Sequence, residues 1–381
     1  MSGSAGGERR MRVMTIVGTR PEIIKLCRVI HELDRFTDHV LVHTGQNYDW
    51  ELSGVFFSEL GVRQPDHFLE AAGATPAETV GNVIARADAL MAEVKPDALL
   101  LLGDTNSALA AYPAKRRRVP VFHMEAGNRS FDDRVPEEIN RRVVDHLSDI
   151  NLTYTEHARR YLLREGLAPE TVIKTGSPMK EVLSHYAAQV AASDVLERLE
   201  LREGGYLVAS AHREENVDSE RNLANLVATL NAMAEGLDRP VIFSAHPRTR
   251  ARMDAAGVPL NPRVRMLKPL GFFDYVRLQQ GAFCVVSDSG TVTEEASVLG
   301  FPAVTIREAH ERPEGMDEGT LVMCGLVPGE VLNAIRVVTE QHAERRPALV
   351  PDYDTGTVSL KVVRIILSYT RYVRRTVWHD G

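Results

Sequence analysis

The chain has 381 residues, of which 44% are hydrophobic and 25% are charged, and its formal net charge is -7. Its length exceeds the usual size of a single core and its composition is ordinary for a globular protein, so we predict two domains. The negative net charge gives no broad basic field, which argues against a nucleic-acid partner.

Several segments bear on where the protein works. Residues 1–10 are small and polar without an apolar core, so we expect a flexible tail rather than a signal peptide. The apolar run at 358–373 is interrupted by three basic residues, which predicts an amphipathic helix and no membrane partner. The three cysteines lie far apart without metal-type spacing. We therefore expect reduced thiols, no metal and a cytoplasmic location.

Strand-like runs in the first half are each followed by turn residues and a helical pattern. These runs end at Val17, Thr44, Leu102, Met124 and Tyr154. The alternation predicts an α/β fold built from parallel βαβ units. Neither a GxGxxG fingerprint nor a GKS or GKT P-loop is present. The pattern therefore gives no reason to expect a nicotinamide cofactor.

Charged residues stand at two of these strand ends. The first run leads through Gly18-Thr19-Arg20-Pro21 into a helix that carries Lys25, and a helix N-terminus attracts anions. The run DALLLLGDTN ends in Asp104, where the ligand crevice of an open α/β sheet lies. The alternatives are that the basic residues are merely solvated and that Asp104 caps a helix beginning near Asn106.

The stretch VFHMEAGNRSFDDRVPEEINR concentrates the acidic candidates. Glu125 follows a buried strand and precedes Gly127, where no helix dipole favours an acid. Glu137 and Glu138 follow Pro136 at a helix start, where the macrodipole alone would favour them. Carboxylates at such strand ends can transfer protons to and from a bound substrate.

The second half repeats the alternation, with polar clusters at three strand ends: His212-Arg213, His246 to Arg248, and Asp288 to Thr291. The turn SDSGTVTEEA opens a helix, so backbone N–H groups of residues 289–292 can hold a phosphate. A capping box formed by Thr291 and Glu294 is the plainer interpretation of the same residues.

Several motifs together resemble the non-hydrolysing UDP-N-acetylglucosamine 2-epimerase family. They are VGTRPEIIK, LLGDTNSALA, HMEAGNRS with VPEEINRR, SAHREEN, SDSG with EEAS, and REAHERPEG. The resemblance implies a GT-B architecture, with two Rossmann-like domains facing a cleft and UDP held mainly by the second. It places them at 11–177 and 178–356, with a helix at 357–381 crossing back to the first. It also implies a UDP-sugar substrate, no cofactor and a homodimer.

The matching positions assign roles residue by residue. The resemblance implies catalytic roles for Asp104, Glu125, Glu137 and His212. The candidates for binding substrate and UDP are Arg20, Lys25, Arg141, Arg213, Tyr275, Ser289, Gly290, Thr291 and Glu295. The alignment around Tyr275 also allows Phe272 or Phe273 to stack near uracil.

The implied reaction eliminates UDP across C1 and C2 to give a 2-acetamidoglucal and then adds UDP back, converting UDP-GlcNAc to UDP-ManNAc. Departures such as SDSGTVTEE and Gly127-Asn128-Arg129 resemble the sub-branch that acts on UDP-N-acetyl-6-deoxy-L-hexosamines. Residues 46–48 replace the family's longer loop for activation by UDP-GlcNAc, which puts that activation in doubt. A GT-B glycosyltransferase and an inactive nucleotide-sugar sensor are the alternatives from other classes.

Overall fold

The computed structural model describes residues 9–45, 50–309 and 311–380. The chain divides into two compact units, one comprising Met1–Val182 with Thr355–Gly381 and the other comprising Leu183–Asp354. The sequence-based boundary between residues 177 and 178 falls close to this division. The loop at residues 46–48 and nearly all of the expected N-terminal tail lie outside the described residues.

The first unit is built on a parallel sheet whose described strands lie in the order β3-β2-β1-β4-β5-β6-β7. Their bounds are β1 Arg12–Val17, β2 Asp38–His43, β3 His67–Phe68, β4 Ala98–Leu102, β5 Val121–Met124, β6 Ile150–Thr153 and β7 Val172–Lys174. The strand order reverses between β1 and β4, which is where an α/β sheet of this type forms its ligand crevice.

Helices cover the faces of this sheet because its central strands are buried, and β4 is apolar along its whole length. They are α1 Arg20–Phe36, α2 Trp50–Glu59, α3 Pro76–Val94, α4 Ala111–Arg116, α5 Pro136–Leu147 and α6 Glu156–Arg164. Short 3-10 helices lie at Asn106–Ala110 and Pro169–Thr171. The strand ends predicted at Val17, Leu102 and Met124 are confirmed.

The second unit repeats this order with the described strands β10-β9-β8-β11-β12-β13. Their bounds are β8 Leu207–Ala211, β9 Val241–Ala245, β10 Val264–Leu267, β11 Cys284–Ser287, β12 Ala303–Thr305 and β13 Val322–Met323. All of the described pairings are parallel, and the order reverses between β8 and β11. The crevice of this unit therefore lies beyond the ends of those two strands.

The helices of the second half are shorter near the unit boundary and longer within the second unit. They are α7 Met179–His185, α8 Ala187–Ala191, α9 Val195–Arg198, α10 Glu214–Val217, α11 Glu220–Gly236, α12 Pro247–Ala256, α13 Phe272–Gly281, α14 Thr291–Leu299, α15 Pro313–Asp317 and α16 Pro328–Glu344. A 3-10 helix lies at Pro351–Tyr353, and α17 spans Val358–Val377.

The final helix α17 packs on α1 within the first unit. Its N-terminus is tied to residues of that unit, because Ser359 donates to Glu181 and Lys361 donates to the carbonyl of Thr175 at 2.9 Å. Its buried face is apolar, as the amphipathic pattern predicts. No helix of the described residues is long and apolar enough to cross a membrane.

Candidate functional site

In the first unit, the crevice side of the sheet carries a buried ion pair between α1 and the end of β5. Lys25 Nζ lies 2.5 Å from Glu125 Oε2, and the two residues are 4% and 8% exposed. The same ammonium lies 5.8 Å from the centre of the Tyr154 ring. Helix α1 thus brings one predicted binding residue into direct contact with one predicted catalytic carboxylate.

Glu125 has a backbone conformation that few side chains adopt. Its φ is 62°, in the left-handed region, and holding such a residue there costs about 1–3 kcal/mol. The pairing of Leu102 with Met124 sets the turn after β4 beside it, where a Cβ on Gly103 would lie 3.9 Å from Glu125 Oε2. The Asn128 amide also donates to Glu125 Oε1 at 3.4 Å. The fold therefore holds this carboxylate in a strained position.

Asp104 stands on the neighbouring turn and pairs with a cation from α5. Arg141 Nη2 lies 2.6 Å from Asp104 Oδ2, and Asn140 donates to the Asp104 carbonyl at 2.9 Å. The alternative role of Asp104 as a helix cap is wrong, because Thr105 is the cap residue of the following 3-10 helix. Two of the predicted acids, Asp104 and Glu125, thus stand on adjacent strand ends, each against a cation.

The two glutamates that begin α5 have different environments. The predicted helix start is confirmed, with Pro136 in its first turn. Glu138 is fully buried and accepts hydrogen bonds from the N–H and hydroxyl of Ser130 at 2.9 and 3.1 Å and from Arg141 at 2.9 Å. Glu137 is half-buried on the first turn. Glu138 therefore braces the helix, while the catalytic role of Glu137 stays a prediction.

A buried charged network, which sequence reasoning missed, supports the turns that carry Asp104 and Glu125. Asp145 on α5 lies 2.9 Å from His123 Nδ1 and 2.7 Å from Arg129 Nη1, and it accepts from the Gly127 N–H. His123 Nε2 lies 2.7 Å from the Gly103 carbonyl oxygen, so both ring nitrogens contact polar groups of the network. The network therefore ties together the residues that flank Asp104 and Glu125.

The turn at Gly127 is crowded as well as bent. Its φ is 82°, and a Cβ there would lie 2.5 Å from the carbonyl oxygen of Ala158. Only glycine fits both the conformation and the space. The Gly127 after Glu125 is therefore required by the backbone.

Glu22, in the first turn of α1, is a second functional candidate that the sequence did not single out. Its carboxylate accepts from the Gly18 N–H at 3.0 Å, the Thr19 hydroxyl at 2.8 Å and the Ser107 hydroxyl at 2.6 Å. Burial raises the pKa of Glu22 to about 7, although these hydrogen bonds act in the opposite direction. Its Thr-x-x-Glu spacing from Thr19 was the available signal.

In the second unit, the end of β8 and the turn after β11 meet at Asp288. This fully buried carboxylate lies 3.0 Å from His212 Nδ1 and accepts from the backbone N–H groups of His212 and Arg213 at 2.9 Å. Burial opposes its ionisation, but the charge and hydrogen bond of His212 lower the pKa of Asp288 well below its usual value. Asp288 thus orients His212, whose side chain is 48% exposed.

The turn from Ser289 to Thr291 leads directly into α14. Gly290 is the N-cap residue, and the Ser289 hydroxyl lies 3.0 Å from the Thr291 hydroxyl. The predicted capping box is wrong, because Thr291 is already inside the helix and Glu294 pairs with Arg312 at 2.7 Å. The helix N-terminus and its small residues keep the geometry of a phosphate site.

Cations and aromatic groups surround this turn. A Cβ at Gly290 would lie 3.7 Å from Arg312 Nε and 4.0 Å from Arg213 Nη2, and Arg312 donates to the Gly290 carbonyl at 2.8 Å. The Tyr275 hydroxyl donates to Ser210, and Gln279 donates to Glu295 at 2.6 Å. Phe272 is buried against Phe273. The described residues contain no group of three or more His, Cys, Asp or Glu that could hold a metal ion.

Residues 31–367 match the family model described as UDP-N-acetylglucosamine 2-epimerase. The chain belongs to this family. The enzyme is thus an epimerase of the non-hydrolysing type, as its motifs predict.

Relatives with full-length matches agree. The UDP-N-acetylglucosamine 2-epimerase of Methanocaldococcus jannaschii is 31% identical over 377 residues, covering 95% of this chain and 100% of the relative. A solved structure of the UDP-N-acetylglucosamine 2-epimerase from Rickettsia bellii is 51% identical, covers 98% of this chain and 100% of its own, and superposes with a TM-score of 0.92. The predicted α/β class with two Rossmann-like domains is confirmed.

A glycosyltransferase of kitacinnamycin is also similar in structure, with a TM-score of 0.56 but 12% sequence identity. This likeness shows a shared fold alone. The fold therefore does not separate an epimerase from a transferase, and the chemistry of the site has to do so.

Proposed function

We propose that the enzyme epimerises C2 of a UDP-N-acetylhexosamine, with conversion of UDP-GlcNAc to UDP-ManNAc as its reaction. The observation that carries the proposal is the pair of carboxylates Asp104 and Glu125 on adjacent strand ends, each held against a cation. Removing a proton from a weakly acidic carbon needs a base, and returning it to the opposite face needs an acid. Two neighbouring carboxylates, with Glu137 on the first turn of α5 as a further candidate, supply these roles.

The proposed reaction proceeds by elimination and re-addition. A carboxylate of the first unit takes the C2 proton, the C–H electrons form the C1=C2 double bond, and the C1–O bond breaks with its electrons on UDP. UDP then adds back to C1 while a proton reaches the other face of C2. The leaving diphosphate gains charge, which the N-terminus of α14 and the cations Arg213 and Arg312 would stabilise.

Known complexes support the nucleotide assignment. The M. jannaschii relative was solved in complex with UDP-GlcNAc and UDP, and a Neisseria meningitidis relative was solved bound to UDP-GlcNAc. We assign UDP to the turn at Ser289 to Thr291 because it opens α14 beside Arg213 and Arg312. The family motifs would then put His212 beside the diphosphate, Glu295 at the ribose and Tyr275 near uracil. Arg20 and Arg141 would bind the sugar side. The homodimer and the cytoplasmic location stay predictions.

The first test is proton exchange. The enzyme incubated with UDP-GlcNAc alone in deuterium oxide is expected to place deuterium at C2 of both epimers, because the proton leaves and returns through ionisable groups. NMR spectroscopy of the nucleotide sugars measures this. A requirement for an acceptor would instead indicate a transferase, and binding without exchange would indicate a sensor.

The sugar is a separate question, because the family acts on more than one. A Pseudomonas aeruginosa relative, 33% identical over 332 residues, is a UDP-2,3-diacetamido-2,3-dideoxy-D-glucuronate 2-epimerase. Asn128, which departs from the usual family motif, contacts Glu125 directly. Because this departure resembles the sub-branch that acts on UDP-N-acetyl-6-deoxy-L-hexosamines, such a sugar is the second candidate substrate. Running the exchange assay with this sugar and with UDP-GlcNAc in parallel ranks the two substrates.

A second prediction concerns the diphosphate site. Gly290→Asp is expected to lower UDP affinity by an order of magnitude or more, because a carboxylate would compete with phosphate for Arg213 and Arg312. Gly290 has a φ of -63° and room for a Cβ, so the fold should tolerate the change. Calorimetric titration with UDP measures the effect.

The neutral variant Gly290→Asn is the matched control, because it has nearly the same size without the charge. It should lose much less affinity than Gly290→Asp. If both variants bind UDP as tightly as wild type does, this turn is only a helix start.

A further inference from the structure

The two turns of the first unit that carry charged candidates leave adjacent strands. β1 and β4 pair directly, from Val13 with Ala98 to Thr15 with Leu100. The turn after β1 leads to Arg20 and Lys25, and the turn after β4 carries Asp104. A substrate that meets both turns needs them at a constant spacing, because an error of about 1 Å can cost 10²-fold in rate.

Glu22 connects these two turns. One carboxylate oxygen, Oε2, accepts from the Gly18 N–H and the Thr19 hydroxyl of the first turn at 3.0 and 2.8 Å. The other oxygen, Oε1, accepts from Ser107, which lies after β4, at 2.6 Å. Glu22 is 2% exposed. A single carboxylate thus spans the point where the strand order reverses.

The hydrogen bonds to Glu22 depend on its charge. Bonds to an ionised carboxylate are about twice as strong as neutral ones, so the ionised form holds both turns more tightly. When Oε1 is protonated it must donate, so the Ser107 hydroxyl must accept and turn its own proton towards Thr105, whose hydroxyl it contacts. Protonation therefore reverses the bond to the β4 turn and weakens the link.

The charged groups around Glu22 are largely engaged with one another. On α1, Lys25 pairs with Glu125 from the end of β5, and after β4, Asp104 pairs with Arg141 from α5. Arg20, also on α1, lies over the Phe56 ring, 5.5 Å from its centre. The hydrogen bonds to Glu22 come from uncharged donors, and burial raises its pKa to about 7. The charge of Glu22 therefore changes near neutral pH.

We propose that Glu22 is a positioning residue whose ionised carboxylate clamps the β1 turn to the Asp104 turn and thereby sets the active geometry. The inference rests on the proposed C2 epimerisation, for which these turns carry the reacting groups. Since the clamp is ionised above about pH 7, turnover is expected to fall as the pH drops through 7, in step with protonation of Glu22.

The test uses Glu22→Gln in the full-length enzyme. The amide has the shape of the protonated acid and donates to Ser107 at every pH, so this variant represents the loosened clamp. We expect turnover about 10-fold or more below wild type at pH 8, with the decline below pH 7 removed. UDP affinity, which the second unit provides, should be unchanged. Turnover is measured between pH 5.5 and 9 by the exchange assay.

Ser107→Ala removes the same link from the other side and should lower turnover at pH 8 in the same way. Glu32→Gln is the matched control, because Glu32 is buried on the same helix and pairs with Arg35 away from these turns. It should keep both the rate and the pH profile of wild type.

The outcomes separate the two proposals. If Glu22→Gln turns over as fast as wild type and its turnover still falls below pH 7, the positioning role is overturned. Glu22 is then a simple helix-start residue. Circular dichroism checks that Glu22→Gln is folded. If the folded variant has low turnover that still falls below pH 7, the positioning role is also overturned. Absence of exchange in the wild type with every UDP-N-acetylhexosamine would instead overturn the proposed function.

Discussion

Glu125→Gln is expected to reduce turnover by about 10²-fold or more while leaving UDP binding measurable. The amide keeps the shape of the side chain but cannot take a proton from C2, and it removes the charge that pairs with Lys25 at 2.5 Å. Turnover of UDP-GlcNAc and calorimetric binding of UDP measure the two effects separately. The same reasoning applies to Asp104→Asn and to Glu137→Gln.

The control for this series is Glu156→Gln. Glu156 also lies in the first unit but is partly exposed, and it contacts Arg160 at 3.4 Å on the surface of α6. Its loss should leave turnover unchanged. If Glu125→Gln keeps near-normal turnover, Glu125 has no part in proton transfer, and Asp104 and Glu137 would have to carry the reaction.

Asp145→Ala is expected to lower the free energy of unfolding by about 3–5 kcal/mol, because it leaves His123 and Arg129 buried without their shared partner. Burial opposes the charge of Asp145, yet hydrogen bonds and charges from these two residues lower its pKa. The stabilisation is therefore present above the ordinary carboxyl pKa and is lost only as the pH falls through the lower folded value. Urea unfolding at pH 7 measures it.

A surface ion pair provides the comparison. Asp88 accepts two hydrogen bonds of 2.6 and 2.7 Å from Arg117, but both side chains are partly exposed to solvent. Asp88→Ala should lower the free energy of unfolding by about 0–1 kcal/mol. Similar losses in both variants would show that the Asp145 network contributes no more than a surface bridge.

The sequence predicts the alternation of strands and helices well, because uninterrupted apolar runs end abruptly at turn residues. Leu102 and Met124 close two such runs, and an acid follows each of them at the edge of the sheet where the crevice lies. The candidate acids Asp104 and Glu125 were visible for this reason. The clusters at His212-Arg213 and at residues 288–291 were visible in the same way, and family motifs added Tyr275 and Glu295.

The supporting residues were not predictable in this way. Asp145 lies inside α5, and its partners His123 and Arg129 come from another strand and turn, so only the tertiary register brings them together. Glu22 has the spacing of an ordinary helix start. The capping box proposed for Thr291 is wrong because Gly290 is the cap residue of α14, so Thr291 already lies inside the helix. Such details depend on where the backbone turns, which side-chain patterns determine only loosely.

The left-handed backbone of Glu125 places the needs of folding and of chemistry in conflict at one residue. Glycine would adopt this conformation without strain, and it would remove the carboxylate from the site. With the catalytic role proposed for Glu125, selection for thermal stability and selection for activity act in opposite directions at this position. A stabilised form of this enzyme obtained without an activity screen would be drawn towards inactive sequences at residue 125.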